Sequence, residues 1–499
     1  EADIPSEVIA GLAELGVLGM TVGPEHGGRG FSQQNYCRII EVIGAHCAST
    51  AVFVNAHHSI GVRGLELFGT DEQKRRWMKP MTNGDKLAAF ALTEPDAGSD
   101  AGNVRTQAVP TPDGSGYHLT GEKRYITNGA IADVLTVMAR TPDPSEPDGK
   151  ITAFLVTPDM PGFEIVEARM EKCGIKGTAT ARLAFHEMFV PKENVLGRVG
   201  GGLKVALTVL DFGRTTFGAS CTGAAKFCVE RAVAHANERK QFGQTLGEFE
   251  LVKDKIALAA ADTYAMESMT YHTAALIDSG AHDYMLETAM LKVFASDNLW
   301  RIVNDTLQIH GGAGYFSDEP FERMMRDARI NLIGEGANDV LRLFIAMVGL
   351  RGLGLQLQGV AKAPWNAASL VRPTPSLPVT NGILQPASAR LARNVGKFAR
   401  ACRNTLIRYR EAILDAQAVQ ARLGDAATEL FAASCVYSRL SSLMQHPPQD
   451  ETSFERELQT GLLSMKVAHR RIRGLLAGLR DNDDADLVRT ANLWLGGSK

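Results

Sequence analysis

No stretch of 18 uninterrupted apolar residues occurs in this 499-residue chain, which argues against a membrane-spanning helix. No C-x-x-C pair occurs either. The seven cysteines (37, 47, 173, 221, 228, 402 and 435) are scattered, which fits buried thiols in a reducing compartment better than a disulfide frame or a zinc site. A basic excess is also missing: the formal net charge is -3, so the global charge does not point to nucleic acid. There is no internal repeat. The chain opens on Glu1 rather than methionine, so an incomplete N-terminus is expected. A targeting peptide could have preceded it, which leaves localisation open. What remains is an ordinary globular composition and a length that calls for roughly two to four domains.

Along the chain the texture changes three times. Residues 1–86 read as helical: apolar residues recur at helical spacing over 6–18 and 32–68, and Thr70-Asp-Glu-Gln73 is a capping box opening the helix that holds Trp77. Over 87–196, short alternating apolar runs (117–120, 133–139, 151–156, 182–189) are separated by Gly, Pro and Asp turns, with 142–149 as an exposed hairpin tip. That pattern predicts a compact β domain, a small barrel or sandwich. Over 197–357 long helices return (204–233, 249–279, 283–309, 340–347), and their alanine-rich faces predict a bundle. Prolines 364, 373, 375, 378 and 386 mark a linker over 358–387, and a further helical region fills 388–499. The fold expected is therefore α+β and multidomain.

Four strings in this framework carry polar chemistry. Leu92-Thr-Glu-Pro-Asp-Ala-Gly-Ser-Asp100 follows an apolar strand; its hydroxyls and backbone N–H groups can face a polar heterocycle, and ordinary turn chemistry would look the same. In Gly121-Glu-Lys-Arg-Tyr-Ile-Thr-Asn-Gly129, Tyr125 and Thr127 are expected on one side of a strand, suited to a planar cofactor or to plain sheet packing. Glu238-Arg-Lys-Gln-Phe-Gly243 ends a helix; its arginine can grip a pyrophosphate or complement the helix dipole. Gln308-Ile-His-Gly-Gly-Ala-Gly-Tyr315 has more glycine than a helix cap needs. It follows no strand, so it is not a dinucleotide fingerprint. Beyond them, Glu335 lies between two glycines in Gly334-Glu-Gly-Ala-Asn-Asp339, just before an amphipathic helix. A carboxylate so placed can act as a general base, although a glycine-flanked helix start usually does no chemistry.

Together, in this order and at these separations, the strings resemble those of the acyl-CoA dehydrogenase family over essentially all of 1–355. The resemblance implies an N-terminal helical domain, a middle β domain and a C-terminal helical bundle. It also implies FAD as cofactor, with Phe90, Leu92, Thr93 and Ser99, Tyr125 and Thr127 around the flavin ring. Where Tyr125 stands the family usually has tryptophan. Arg239, Gln241 and Phe242, with Gln308, Gly311 and Gly312, match positions that hold the FAD of a neighbouring subunit, which implies a homo-oligomer, most simply a dimer. Ala337 and Asp339 match further cofactor contacts, and Ala337 replaces the usual threonine. Ser99, Asp211, Arg214 and Gly336 match acyl-CoA contacts, with Asp211 and Arg214 at the CoA entrance. Arg214 reads equally well as an interhelical ion-pair partner.

Glu335 matches the family's catalytic base, which removes the α-proton of the thioester while the β-hydrogen leaves as hydride. Enolate stabilisation at the carbonyl oxygen by a backbone N–H is worth roughly 3 to 4 kcal/mol. Some members carry the base on another helix just before an arginine. The corresponding position here is Gly213, which cannot abstract a proton. Gly334 stands where a large residue is common and should widen the pocket.

The extension beyond 355 resembles the very-long-chain branch and its assembly-factor relative. Seven Lys or Arg and no acid lie between Arg390 and Arg410. Leu462, Met465, Ile472, Leu476 and Leu479 form a stripe beside Arg470, Arg471 and Arg473. Basic amphipathic helices can lie on anionic membranes, though they more often form bundles with a solvated charged face. The resemblance thus implies dehydrogenation of long- or very-long-chain acyl-CoA to the trans-2-enoyl-CoA, with electron-transfer flavoprotein as acceptor. The implied setting is a bacterial cytoplasm, or the mitochondrial matrix and inner-membrane surface. An acyl-CoA oxidase and a scaffold protein keeping the dehydrogenase fold are the alternatives.

Overall fold

The structure, a computed structural model, describes residues 3–362, 376–379 and 381–497. Its contacts gather into two compact units, one of Glu1–Lys253, Thr273–Thr288 and Ala295–Ala337, the other of Asp254–His272, Ala289–Phe294 and Asn338–Lys499.

The first unit opens with helices α1 (Ser6–Glu14), α2 (Gln33–His46), α3 (Ala48–Val54), α4 (Arg63–Phe68) and α5 (Asp71–Thr82), and a π-helical stretch, Asn55–Val62, joins α3 to α4. The capping box at Thr70 forms: Gln73 N donates to Thr70 Oγ1 at 3.2 Å and Thr70 N to Gln73 Oε1 at 2.9 Å. The same Gln73 side chain donates to Glu193 O and Val195 O, so the cap also pins α5 to the β region.

Eight strands follow: β1 (Ala88–Ala91), β2 (Gln107–Pro110), β3 (Gly116–Thr127), β4 (Val134–Asp143), β5 (Glu146–Val156), β6 (Phe163–Glu167), β7 (Thr180–Pro191) and β8 (Val195–Leu196). They form one sheet in the order β6-β7-β3-β2-β4-β5-β8, with β1 parallel to β4. Leu183 and Phe185 of β7 share an apolar core with Phe154 and Val156 of β5, strands far apart in that order, so the sheet folds over on itself. The alternation expected from sequence fails on β4, which is buried on both faces. Leu135 and Val137 point into that core, while Val134 and Met138 meet Trp77, Val205 and Val209 in a second one. A strand packed on both sides must be apolar throughout.

The long helix α6 (Gly202–Glu238) leads to a small hairpin, β9 (Lys240–Gln241) with β10 (Gln244–Thr245). Then come α7 (Glu250–Asp278), α8 (Met285–His310), α9 (Gly312–Tyr315) and α10 (Phe321–Arg329).

In the second unit α11 (Asn338–Lys362) is longer than its apolar pattern over 340–347 predicts, and it runs past the expected boundary at 357. The stretch Asn338–Val360 is long and apolar enough to cross a membrane by composition, with a mean hydropathy of 1.6. Arg342 and Arg351 interrupt it, so it contains no uninterrupted apolar run of 18 residues. Most of the expected linker lies outside the described residues. Beyond it lie α12 (Gln385–Tyr409), α13 (Gln417–Gln445), α14 (Glu451–Ala477) and α15 (Asp484–Trp494). Ala346 and Leu350 of α11 pack with Cys402, Val419, Leu423 and Leu479. Five cysteines are buried as expected, but Cys47 and Cys173 are exposed; all seven are free.

Candidate active site

After α10 the chain tightens into a 3-10 turn, Ile330–Leu332, and then reverses at Gly334-Glu335-Gly336. Glu335 takes a left-handed φ of 57° and Gly336 one of 99°. A non-glycine residue held there costs about 1–3 kcal/mol and persists where its surroundings enforce it. Those surroundings are explicit. Asn55 Nδ2 donates to Glu335 Oε1 at 2.6 Å, and Arg214 Nε donates to the Glu335 carbonyl oxygen at 3.3 Å. A Cβ on Gly213 would lie 2.7 Å from Glu335 Oε2 and 3.0 Å from Ile60 Cγ2. The absent side chain of Gly213 is thus what lets the carboxylate lie against α6. By contrast a Cβ on Gly334 would meet only Ile330 O, at 3.7 Å, so the space beside the carboxylate is open there.

Asn55 is the residue that sequence reading missed. It opens the π-helical stretch, a distortion frequent at functional sites. Its amide is oriented by a buried chain: Thr216 Oγ1 donates to Asn55 Oδ1 at 2.5 Å, Ser59 Oγ lies 3.0 Å from Thr216 Oγ1, and Tyr36 OH lies 2.8 Å from Ser59 Oγ. With Thr216 donating to the amide oxygen, the amide nitrogen faces Glu335, and the order that satisfies every hydroxyl has Tyr36 donating to Ser59 and Ser59 to Thr216. Burial raises the Tyr36 pKa far above the usual phenol range, so Tyr36 stays a donor. The available signal was a polar run, Asn55-Ala-His-His-Ser59, inside an otherwise apolar periodicity. His57 in that run is structural: its ring accepts from Ala88 N at 3.0 Å and faces Met81 O at 3.2 Å, and burial lowers its pKa to about 4.

Asp211 and Arg214 both lie on α6. Both are buried, and Arg214 Nη1 meets Asp211 Oδ1 at 3.1 Å within α6, while Thr288 Oγ1 donates to the same oxygen at 2.9 Å. Burial raises the Asp211 pKa, with Arg214 working against it. Their effect is to fix the guanidinium that holds the Glu335 backbone.

The loop after β1 is anchored from below. Lys123 Nζ, fully buried on β3, donates to Leu92 O at 3.0 Å and to Glu94 Oε1 at 2.7 Å. Glu94 also accepts from Arg105 N, Thr106 N and Thr106 Oγ1. Burial works against ionised Glu94, but the charge and hydrogen bonds of Lys123 and Thr106 outweigh it and hold its pKa low. Burial pulls Lys123 down to about 8, so both stay charged at neutral pH. Arg124 N donates to Thr93 O at 2.9 Å, tying the loop to β3.

On β3 the register shifts between Lys123 and Ile126, and Tyr125 has φ 61°. A bulge re-aims side chains. Tyr125 is 56% exposed with Arg124 against its ring, whereas Ile126 and Asn128 on either side of Thr127 are buried. Phe90 and Leu92 are buried, Thr93 and Thr127 half-buried and Ser99 exposed. Among the described residues the side chains of Thr93, Ser99, Tyr125 and Thr127 make no hydrogen bond to the protein. A rigidly backed ledge with an exposed ring and open hydroxyls fits a flat, polar-edged heterocycle.

Arg239 and Gln241 lie exposed at the end of α6 and on β9. Phe242 (φ 52°) and Gly243 (φ 84°) form the tip of the hairpin, and Phe242 is 94% exposed. Two left-handed residues match a type I′ turn, and this one holds a bare aromatic ring out in solvent. Gln308, Gly311 and Gly312 are exposed at the end of α8, beside the exposed Tyr315 and Phe316. A Cβ on Gly311 or Gly312 would meet nothing within 4 Å. Neither group shares a hydrogen bond with the Glu335 loop among the described residues. Gly336 and Ala337 are half-buried beside Glu335, and the Asp339 carboxylate is fully exposed, 3.7 Å from Arg342.

Families described as the acyl-CoA dehydrogenase N-terminal, middle and C-terminal domains match residues 1–85, 89–188 and 200–350. The ACAD9/ACADV C-terminal domain matches 383–492. The human mitochondrial very long-chain specific acyl-CoA dehydrogenase is 38% identical over 461 residues, covering 88% of this chain and 70% of that protein. The probable acyl-CoA dehydrogenase FadE10 of Mycobacterium tuberculosis is 35% identical, covering 99% and 80%. Among solved structures, an acyl-CoA dehydrogenase from Bacillus anthracis complexed with FAD superposes with TM-score 0.85 at 29% identity, covering 99% of this chain and 86% of that one. A structure named for the electron transferring flavoprotein of Acidaminococcus fermentans gives 0.67 at 36%, covering 70% and 91%. With a carboxylate locked over a glycine, a ledge suited to a flavin and these matches along its length, the chain belongs to the acyl-CoA dehydrogenase family of FAD-dependent oxidoreductases.

Proposed function

We propose that this enzyme oxidises long- or very-long-chain acyl-CoA to the trans-2-enoyl-CoA, with Glu335 as the base and an electron-transferring flavoprotein as the electron acceptor. The observation that carries the reading is the seat of Glu335: a strained residue with its carboxylate against Gly213, held by Asn55 and Arg214. Bound FAD supplies the hydride acceptor. Glu335 takes the α-proton, and its backbone N–H is assigned to donate to the thioester oxygen, where negative charge develops. Asn55 and Arg214 set the carboxylate and its backbone before substrate arrives, so little reorganisation is left for the reaction.

The cofactor ledge is assigned to Phe90, Leu92, Thr93, Ser99, Tyr125 and Thr127, with Ser99 also reaching the acyl-CoA. Gly336 and Ala337 border the reacting carbons. Arg239, Gln241 and Phe242, with Gln308, Gly311 and Gly312, are assigned to the cofactor of a second copy. The exposed Phe242, Tyr315 and Phe316 support that, because aromatic residues are enriched where protein surfaces meet. A homodimer is the simplest assembly. Gly334, the very-long-chain relatives and the matched C-terminal extension support the chain-length class. The named relatives place such enzymes in mitochondria and in mycobacteria, which supports a matrix or bacterial-cytoplasmic setting.

Anaerobic titration of the purified flavoprotein with acyl-CoAs of graded length tests the reading. Bleaching should be fastest with long acyl chains. Failure of every acyl-CoA to bleach the flavin, or a clear preference for short chains, would overturn it. Rapid reoxidation of the reduced enzyme by oxygen would point to an oxidase instead.

A further inference from the structure

Part of the basic stretch of the extension, Lys397, Arg400 and Arg408, lines a concave site. A cavity of about 440 Å³ lies between α12 and α14, within the size range of small-ligand pockets. Five cations line it: Lys397, Arg400 and Arg408 from α12, and Arg473 and Arg480 from α14 and the turn after it; no carboxylate does. None of the five makes an ion pair among the described residues, although Arg342, Arg422, Arg439 and Arg471 of the same unit each meet a carboxylate. Like charges gathered without counter-charge repel one another, so an arrangement of this kind is stabilised by an anion.

The floor is built to take one. Thr405 is buried, and its hydroxyl makes no hydrogen bond among the described residues. His469 Nδ1 lies 3.1 Å from Asn394 Oδ1, which leaves the other ring nitrogen for the cavity that both residues line. Burial, then the charges of Arg390, Arg473, Lys397 and Arg393, hold the His469 pKa below its usual value. Beside these polar groups Ala401, Tyr409, Ile472, Leu476 and Leu479 supply an apolar wall.

We infer that this cavity is a second ligand site, separate from the Glu335 site, for a phosphorylated molecule carrying two or more negative charges beside an apolar part. Arginine forks suit phosphate oxygens, and the wall suits a ring or an alkyl chain. The phosphate can come from a soluble metabolite or from a lipid headgroup.

The test uses the full-length FAD-loaded enzyme. Calorimetric titration with pyrophosphate and ADP probes the soluble source. Dihexanoyl phosphatidic acid below its micelle concentration probes the lipid source. Saturable binding of either, in the range of about 1 mM or tighter, is expected. It should weaken about tenfold or more in Arg400→Gln/Arg473→Gln. Ala401→Phe fills the cavity without changing charge and should also abolish binding. Arg489→Gln, on α15, should not. Unchanged melting and unchanged flavin reduction by acyl-CoA show that the variants are folded. Absence of binding to the unaltered enzyme, or equal binding by Ala401→Phe, overturns the inference. So does binding only to anionic phosphatidylglycerol vesicles that Arg489→Gln weakens as much, which would mark a diffuse membrane-facing charge instead.

Discussion

Gly213→Ala should slow the chemistry while leaving the fold as stable as before or more so. The added Cβ would sit 2.7 Å from Glu335 Oε2, 3.1 Å from its Cδ and 3.0 Å from Ile60 Cγ2. The first contact is closer than a methyl and an oxygen tolerate, so the carboxylate is pushed from its seat by the methyl. It must retreat by several tenths of an ångström, which disturbs the 2.6 Å hydrogen bond from Asn55. Misplacement of a catalytic group by about 1 Å can cost about 100-fold in rate, so flavin reduction slowed by roughly 10- to 100-fold is expected. Stability moves the other way, because Gly213 lies inside α6, where alanine is favoured over glycine by about 0.5–1 kcal/mol. That gain offsets the small adjustment of Ile60. Anaerobic stopped-flow reduction by a long-chain acyl-CoA gives the rate; thermal melting and flavin content give the rest. A variant that reduces at the original rate refutes the steric argument. One that slows only because it loses FAD or unfolds refutes it equally.

Asn55→Ala removes the donor to Glu335 and the amide acceptor of Thr216, whose hydroxyl keeps Phe212 O and Gly213 O within reach, so the loss of stability should be small, about 0.5–1.5 kcal/mol. The reduction rate should fall and its pH profile should move, whereas a merely structural role would lower the melting temperature and leave the profile unchanged. Lys123→Met strands Glu94 as a buried charge, which costs about 3–5 kcal/mol. Melting should drop and FAD should bind more weakly; unchanged FAD affinity would show that the ion pair does not support the cofactor ledge. Glu429 gives a pH test of the second unit. Burial, opposed by Arg471, raises its pKa from 4.5 to about 7, so the folded protein holds a proton that the unfolded chain has lost between those values. Its contribution is full below about pH 4.5 and gone above about pH 7, worth of order 1–3 kcal/mol. Melting of the unaltered protein should therefore fall from pH 5 to pH 8 more steeply than that of Glu429→Gln; equal slopes would contradict the assignment.

Much of this was legible in the sequence, because the decisive signals are local. A capping box, a glycine-flanked carboxylate and a change from helical to strand periodicity each declare themselves within a dozen residues. What stayed hidden depends on residues far apart in the chain. Asn55 acquires meaning only when the π-helical stretch brings it to Glu335, 280 positions away. Arg214 reads from sequence as a CoA-entrance contact or an interhelical ion-pair partner, and nothing near it on α6 hints that it also holds the Glu335 carbonyl. Lys123 and Glu94 were visible as polar residues in two motifs, but their pairing needed the sheet register. The run 133–139 announced β4 but not its burial on both faces, and two arginines disguised the length of α11.

The most direct measurement is single-turnover reduction of Glu335→Gln under anaerobic conditions, with FAD content and acyl-CoA binding followed in the same preparation. The account expects a variant that folds, retains FAD and binds acyl-CoA, yet does not bleach its flavin. Bleaching at the original rate would contradict it, because another group would then be the base.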